Sequence, residues 1–409
     1  MSKTIVTSAR GKEFRCFVSW SPKQFNNFLQ TQWVLLAPAF EGTGKNITIG
    51  RQCPLPFRIV ERLDFGQPDS YRVAIHKAHF KPVTESETPA IVYEWSRPSE
   101  VDTDLQMQVD RLRGFQHPHI SAPLISFDKG PDGPYCILFP WAEGRSLEEF
   151  WGTDARGPGL SLWAVKQMVG LADGLRVLHE ASFCHNCLSP TNIFLFRQPE
   201  EAAVRGHLGI AGLPYQRRHI RLGRTTTARH PIKEDPATAY SDPEFLAENW
   251  RPQQSSDVWS MGLLFMEFVL WLLHGVQAVQ EFRQMYRNLG VFWNGRYLKD
   301  AKLREAISSV LLNDLRNTTQ CATGTAWRDI VDFLADRVWA TAKARSTAKE
   351  MHSRLQQIAT TAERDVSYIP HPGPGNGQPL KFGAVGTINQ IAYRSDDFSA
   401  AFWGGKSPS

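Results

Sequence analysis

The order of strand-forming and helix-forming segments constrains this chain more than any single motif. Residues 57–138 are rich in strand patterns and are interrupted by one helical segment, whereas residues 146–361 are rich in helical patterns. Strands that precede helices in this way favour an α+β fold and argue against a parallel sheet, which needs alternating strands and helices. The sequence therefore predicts a small strand-rich lobe followed by a large helical lobe.

Length and composition agree with one folded unit that carries tails. Apolar residues make up 42% and charged residues 21% of the 409 residues, which are ordinary values for a globular protein. A chain of this length accommodates a two-lobed unit of about 300 residues. The C-terminal stretch 366–409 contains the helix-breaking run Pro370 to Gly377, so we predict a flexible tail over residues 363–409.

Several segments of the large lobe carry motifs in a fixed order. An amphipathic helix predicted over Ser161–Glu180 leads directly into residues 185–192, which read His-Asn-Cys-Leu-Ser-Pro-Thr-Asn. Further along the chain lie Tyr240-Ser241-Asp242-Pro243-Glu244, Ser256-Asp257-Val258-Trp259-Ser260-Met261-Gly262 and Arg345-Ser346-Thr347-Ala348-Lys349-Glu350. Any one of these segments is a weak signal, but their order and spacing together are specific.

These segments resemble the landmarks of the protein kinase superfamily. Residues 185–192 are similar to the catalytic loop His-Arg-Asp-Leu-Lys-Pro-Glu-Asn, and the later segments to Ala-Pro-Glu, the central helix and Arg-x-Thr-Ala-x-Glu. Upstream, His117-Pro118-His119-Ile120 resembles the His-Pro-Asn-Ile turn of the family. Over residues 30–360 the sequence is closer still to filamentous-fungal protein-kinase-like proteins, through the stretches Gln32–Phe40, Leu138–Gly144, Gly170–Arg176 and Trp271–Gly275.

The resemblance implies a bilobal protein-kinase-like fold and a set of boundaries. We expect a partly ordered N-terminal extension over residues 1–55 and a kinase-like domain over 56–362. Within that domain the N-lobe takes residues 56–140 and the C-lobe residues 141–362.

The catalytic loop departs from the family at the residues that carry chemistry. In the family an Asp accepts the proton of the substrate hydroxyl, a Lys steadies the γ-phosphate and an Asn holds a metal ion. Here Cys187 and Ser189 replace the Asp and the Lys, while His185 and Asn192 are kept. The resemblance thus implies a degenerate loop in which no residue is expected to be catalytic, with Asn192 as a remnant of the metal site.

The positions that handle phosphate in the family are changed as well. The expected Gly-rich turn keeps only Gly66 of its glycines. We assign the family's lysine-bearing strand to Pro89–Trp95, which places Val92 at the lysine position. The helix after it then places Gln108 where the family has the partner glutamate. Lys77 is the competing candidate for the lysine, but it follows the turn too closely to belong to that strand.

The metal-binding carboxylate is replaced by a glycine. Leu208–Pro214 aligns without gaps to Leu-Lys-Ile-Ala-Asp-Phe-Gly, so Gly212 stands where the family has its Asp. We therefore predict a degenerate nucleotide cleft formed by Gly66, Val92, Gln108, Leu138 and Gly212. No cofactor is expected. ATP and magnesium would be bound only if the chain were an active kinase.

Residues that hold the large lobe together are kept. Asp257 is expected to bond the backbone of the catalytic loop, and Glu244 to form a buried pair with Arg345. Retained architecture with lost chemistry implies a pseudokinase that acts as a scaffold or allosteric binding partner. The alternative is a weak or atypical ATP-dependent serine/threonine kinase that uses Lys77, so the sequence leaves open whether the chain is an enzyme.

Cysteine usage and hydropathy indicate the compartment. Six cysteines without regular spacing favour reduced thiols, and hence an intracellular location in the cytoplasm or nucleus. Cys184 and Cys187 formally make a Cys-x-x-Cys pair, but packed thiols are favoured over a redox or zinc site because no second pair exists. The N-terminus lacks an apolar signal region, and Met261–Leu273 is interrupted by Glu267, so we expect no membrane partner.

The segment 215–239 is the activation loop by position. It contains a basic run with three adjacent threonines, namely Arg217, Arg218, Arg221, Arg224, Arg229 and Lys233 around Thr225, Thr226 and Thr227. Such a run is typical of a solvated loop, and it can also dock an acidic partner through simple electrostatics. We expect a protein partner of unknown identity through this loop. Nucleic acid is the less favoured partner, although the net charge of +5 by itself argues neither for nor against it.

Overall fold

The computed structural model describes residues 19–35, 38–40, 46–50, 53–63, 69–76, 87–95, 103–130, 133–142, 145–153, 159–196, 206–211, 240–242, 253–289 and 312–370. The chain forms two compact units. The small unit consists of Met1–Phe115 and Ala122–Trp141, and the large unit of Gln116–Ser121 and Ala142–Ser409. The predicted α+β class, with strands preceding helices, is confirmed.

The small unit is built on a six-stranded sheet in the order β1-β5-β6-β4-β3-β2. The short β1 pairs in parallel with β5, and all other pairs are antiparallel. The register of β2 against β3 shifts between Ile59 and Glu61, which is a β-bulge in the terminal strand of the described sheet. The elements are α1 (Pro22–Leu35), β1 (Ile47–Thr48), β2 (Phe57–Leu63), β3 (Asp69–His76), β4 (Glu87–Trp95), α2 (Thr103–Arg113), β5 (Ile125–Asp128) and β6 (Tyr135–Pro140).

The two faces of this sheet have different neighbours. One face carries the apolar core of the unit, formed by Phe40, Ile49, Cys53, Val73, Ile75, Ala90, Val92, Ile125, Phe127, Cys136 and Leu138. Helix α2 contacts the other face, where Arg113 Nη2 donates to Ser126 Oγ at 2.7 Å. Ser126 alternates along β5 with Ile125 and Phe127, so its side chain points away from the core cluster.

Residues upstream of the predicted domain boundary at residue 56 belong to this core. Phe40 is 1% exposed and stacks on Phe127 with ring centroids 5.7 Å apart. The Asp128 carboxylate fixes the segment that follows, because Asn46 Nδ2 and Thr48 Oγ1 each donate to Asp128 Oδ2 at 3.0 Å. Phe40, Ile49 and Cys53 therefore belong to the core of the small unit.

The large unit is mainly helical. The helix predicted over Ser161–Glu180 is confirmed: it spans Leu160–Glu180 (α4) and so begins one residue earlier. A two-stranded sheet of β7 and β8 lies between the first and second groups of helices in the chain. The elements are α3 (Leu147–Thr153), α4 (Leu160–Glu180), β7 (Ile193–Phe196), β8 (His207–Ile210), α5 (Gln254–His274), α6 (Val276–Leu289), α7 (Ala326–Phe333) and α8 (Ala348–Arg364).

Helix α5 forms the centre of the large unit. It is the one described helix long and apolar enough to cross a bilayer by length and composition, and the apolar stretch is completely buried. Helix α4 packs against both α5 and α8. A capping box begins α8, in which Glu350 N donates to Thr347 Oγ1 at 3.2 Å and Thr347 N to Glu350 Oε2 at 2.9 Å.

We predict that Phe40→Ala destabilises the small unit. Removing a buried phenylalanine ring leaves a cavity and loses its apolar burial, at a cost of about 3–5 kcal/mol in the free energy of unfolding. Urea denaturation followed by fluorescence measures this loss. Met107→Ala is the control, since Met107 is 57% exposed and its truncation should change stability little. Equal effects of the two substitutions would contradict the packing described for Phe40.

Candidate functional site

A buried carboxylate on α5 holds the loop that follows α4. Asp257 is completely buried, and its Oδ2 accepts from the backbone N–H of His185 at 2.8 Å. Its Oδ1 accepts from the backbone N–H of Asn186 at 2.5 Å. The ring of His179 approaches Oδ2 with Nε2 at 3.0 Å. The hydrogen bonds expected from Asp257 to the catalytic-loop backbone are therefore present.

The two loop residues that donate to Asp257 are His185, which is buried, and Asn186, which has a left-handed backbone conformation. His185 is 1% exposed, and burial lowers its pKa even though Asp257 and the Ala211 carbonyl act in the opposite direction. The imidazole is thus part of the packed interior at neutral pH. Asn186 has a φ of 51°, a left-handed conformation that asparagine tolerates better than most residues.

Cys187 and Asn192 contact each other across the loop. The Asn192 side-chain amide donates to the Cys187 carbonyl at 2.7 Å and to Cys187 Sγ at 3.2 Å. The carbonyl of Asn192 accepts from Ala211 N at 2.9 Å, which joins the loop to the end of β8. The amide nitrogen of Asn192 therefore stabilises the loop through two hydrogen bonds to Cys187, one of which is accepted by the thiol sulfur.

Ser189 occupies the loop position at which the resemblance expects a lysine. Its side chain is 1% exposed, and its Oγ lies 2.8 Å from Thr191 Oγ1. The short turn Pro190–Asn192 begins directly after it. The hydroxyl is buried in a local contact, so it cannot extend from the loop as a lysine would.

The register of β4 contradicts the prediction that Val92 and Leu138 line a cleft together with Gln108. Val92 is 2% exposed and lies between Tyr71 and Leu138 on the core face of the sheet. Leu138 is completely buried in the same cluster. Because α2 contacts the opposite face, Val92 and Leu138 do not face Gln108, as the predicted cleft required.

The α2 face of β4 carries Ile91 and Tyr93 instead. Tyr93 pairs with Ile137, which pairs with Ser126, the residue that Arg113 contacts. Burial raises the pKa of Tyr93 to about 12, so its phenol stays neutral. Strand β4 carries no lysine on either face. On α2, Gln108 Oε1 is buried and has no hydrogen-bond partner in the described part of the chain.

Arg345 is buried, as expected, and within the described residues it contacts the acidic side chain of Asp242. Its Nη1 lies 3.3 Å from Asp242 Oδ2 and donates to the Ser255 carbonyl at 2.9 Å. The guanidinium also lies over the Trp259 ring, 4.9 Å from its centroid. The predicted partner Glu244 lies outside the described residues.

A second charged cluster was not found by sequence reasoning. Tyr240 donates its hydroxyl to Glu267, at 2.9 Å from Oε1 and 2.8 Å from Oε2. Arg283 binds Glu267 through Nε at 2.9 Å and binds Glu148 through Nη1 at 2.8 Å. Burial raises the pKa of Glu267, against the effect of the Arg283 and Tyr240 hydrogen bonds. The cluster anchors the chain at Tyr240, directly after the segment 215–239.

Four other predicted features lie outside the described residues: Gly66, Lys77, Gly212 and the segment 215–239. Among the residues that the structure describes, no group of three or more His, Cys, Asp or Glu side chains could hold a metal ion. The cysteines in those ranges form no disulfide.

Comparison with known proteins gives a match to a protein family and to curated relatives that include two serine/threonine-protein kinases. The family described as "Protein tyrosine and serine/threonine kinase" matches residues 73–319, more than half of this chain. Serine/threonine-protein kinase 36 of Pongo abelii is 27% identical over 168 residues, covering 41% of this chain and 11% of that protein. Serine/threonine-protein kinase ULK3 of Homo sapiens is 28% identical over 213 residues, covering 52% of this chain and 41% of that protein. The match thus spans less than half the length of either relative.

We predict that Asp257→Ala destabilises the large unit by about 2–5 kcal/mol. The substitution leaves two backbone N–H groups of the loop without their acceptor, and each unsatisfied buried donor costs about 1–3 kcal/mol. Asp257→Asn keeps one acceptor oxygen and should cost less. Chemical denaturation measures the free energies of unfolding of the two variants and of the wild type. Asp336→Ala is the control, because Asp336 is exposed. If Ala and Asn at position 257 behaved like the control, the anchoring role would be wrong.

Proposed function

The chain belongs to the protein tyrosine and serine/threonine kinase family, and from that premise we propose that it is a pseudokinase, which binds partners without transferring phosphate. The observation that carries the proposal is Cys187, a thiol braced by the Asn192 amide where the family places a carboxylate. An ionised carboxylate can accept the proton of a substrate hydroxyl, whereas a thiol brings no negative charge unless its surroundings favour the thiolate.

The small unit supports the same conclusion. Phosphoryl transfer in this family depends on cations and on a carboxylate-held metal that neutralise the phosphates. Strand β4 offers Ile91 and Tyr93 on the α2 face and contains no lysine. The described residues therefore do not fit magnesium with ATP, and we propose that the chain uses no cofactor. Since individual catalytic elements are worth about 3–7 kcal/mol, their combined loss leaves negligible transfer.

The alternative function is a weak or atypical serine/threonine kinase. It requires that Lys77 bind the phosphates in place of a lysine on β4. The curated relatives are serine/threonine kinases by name, which is the finding that favours this alternative. Lys77 lies outside the described residues, so the alternative has to be tested by experiment.

We further propose that the activity of the chain is binding to a protein, as a scaffold or allosteric partner. The basic segment 215–239 supports this role, because the structure anchors Tyr240, which directly follows it. We propose an intracellular location, in the cytoplasm or nucleus, and a filamentous-fungal type of kinase-like protein on the sequence stretches given above. Membrane and nucleic acid are not proposed as partners.

We predict that the purified protein incorporates no phosphate above background. The experiment incubates it with radiolabelled ATP and magnesium, alone and with a generic protein substrate, and it adds a thermal-shift titration with the same ligand. Cys187→Asp restores the carboxylate but should remain inactive, since the β4 lysine is also missing. Lys77→Met is the matched control. Incorporation by the wild type that Lys77→Met abolishes would establish the weak kinase and overturn the pseudokinase proposal.

We predict that a partner captured from cell extract depends on the basic charges of the segment 215–239. A pull-down compares the wild type with a chain that lacks these residues and with a full-length variant whose six basic residues there are changed to Gln. We expect that neither variant captures the partner, because the basic residues of the segment attract an acidic surface of the partner. If the Gln variant captured as much partner as the wild type, the electrostatic basis would be wrong.

A further inference from the structure

We propose that Ser367 is a phosphorylation site, and that its modification releases the C-terminal strap, residues 365–370, from the large unit. The strap follows α8 and contains the short helical turn Val366–Tyr368. A separate ATP-dependent serine/threonine kinase supplies the phosphoryl group. The inference concerns modification of this chain by another enzyme, so it holds whether or not the chain itself transfers phosphate.

The end of the strap is docked on α7. The Tyr368 hydroxyl donates to Asp329 Oδ2 at 2.7 Å. The indole N–H of Trp327, a completely buried residue, donates to the Pro370 carbonyl at 3.1 Å. Between these two contacts Ile369 is only 7% exposed. Two hydrogen bonds to α7 and one buried apolar side chain therefore hold the strap in place.

The start of the strap is fixed by the Asp365 carboxylate. Asp365 Oδ1 accepts from the backbone N–H of Ser367 at 2.9 Å and from Ser367 Oγ at 2.6 Å. The backbone N–H of Tyr368 donates to the Asp365 carbonyl at 3.2 Å, which closes the turn. The hydrogen bonds from Ser367 lower the pKa of Asp365, so its carboxylate is ionised at neutral pH. The turn that leads to Tyr368 thus depends on a contact between a hydroxyl and a full negative charge.

Ser367 is accessible to a modifying enzyme. Residues 364–367 are all exposed, and Val366 is 81% exposed. Arg364 lies three residues before the hydroxyl, so a kinase with acidic groups in its peptide site can bind this cation through an ion pair. In the reaction Ser367 Oγ bonds to the γ-phosphorus of ATP and the bond from that phosphorus to the bridging oxygen breaks. ADP leaves, and the hydroxyl proton passes to the base of the modifying kinase.

A phosphate on Ser367 Oγ disrupts the turn. It removes the donor of the 2.6 Å hydrogen bond and places a charge of about −2 beside the Asp365 carboxylate. The site also follows the C-terminus of α8, where the helix dipole disfavours an anion. The single positive charge of the neighbouring Arg364 does not offset a phosphate and a carboxylate together. The opening constant of the strap should therefore rise about tenfold.

Release and modification favour each other. In the docked strap the Ser367 hydroxyl is bonded to Asp365 and the residues after it are held on α7, so the released strap is the better substrate. Tyr368→Phe tests this coupling, because it removes the hydrogen bond to Asp329 while it keeps the ring and leaves Arg364 and Ser367 unchanged. This variant should be phosphorylated at Ser367 roughly tenfold faster than the wild type.

Phosphorylation of the full chain tests the site. The purified protein is incubated with ATP, magnesium and the catalytic subunit of cyclic-AMP-dependent protein kinase, which selects serines near basic residues, and mass spectrometry locates the phosphate. A reaction without the added kinase measures self-modification, and Ser367→Ala identifies the signal of this site. We expect phosphate at Ser367, added faster in Tyr368→Phe. Absence of phosphate at Ser367 in both proteins, or equal rates in the two, would overturn the proposal.

Hydrogen exchange tests the release. Ser367→phosphoserine is made by genetic encoding in the full chain, and exchange is followed at the backbone amides of Tyr368 and Ile369, which donate within the turn. Peptides from α5 report global unfolding. Ser353→phosphoserine is the matched control, since Ser353 is an exposed residue of α8. We expect about tenfold more opening of the strap with the phosphate at position 367 and no change with it at 353. Unchanged protection at 367, or equal opening in both variants, would overturn the proposal.

Discussion

The large unit depends on one carboxylate, that of Asp257, which lies completely buried on its central helix and accepts from two consecutive backbone N–H groups of the loop. A buried charge is stable only when its hydrogen bonds are satisfied, so the helix and the loop must form together. The same loop carries Cys187, whose thiol is braced by Asn192. The carboxylate of Asp257 thus fixes a loop that contains a thiol held by an asparagine amide.

Much of the large unit could be predicted from the sequence, because its landmarks are local. The helix before the loop follows from apolar spacing, and the contact of Asp257 with the loop backbone follows from the resemblance. The cluster of Glu267, Arg283 and Tyr240 was missed, since its members lie far apart in the chain. A lone glutamate inside an otherwise apolar helix was the available signal, as a buried carboxylate needs partners.

The small unit was harder to predict for a physical reason. Side chains alternate along a strand, so a one-residue difference in register moves a residue to the other face. Val92 was assigned to the cleft and lies in the core, while Tyr93 takes the α2 face. The packing of Phe40 could not be read from local patterns either, because its partner Phe127 is distant in sequence. In both cases the decisive information is long-range.

The bulge in β2 has a consequence for how the protein behaves in concentrated solution. β2 is the terminal strand of the described sheet, and a regular exposed edge invites pairing with the backbone of another molecule. The shift between Ile59 and Glu61 interrupts that regular spacing, and Arg58, Glu61 and Arg62 place charges along the strand. Despite the exposed Ile59 and Val60, this edge is a poor template for aggregation.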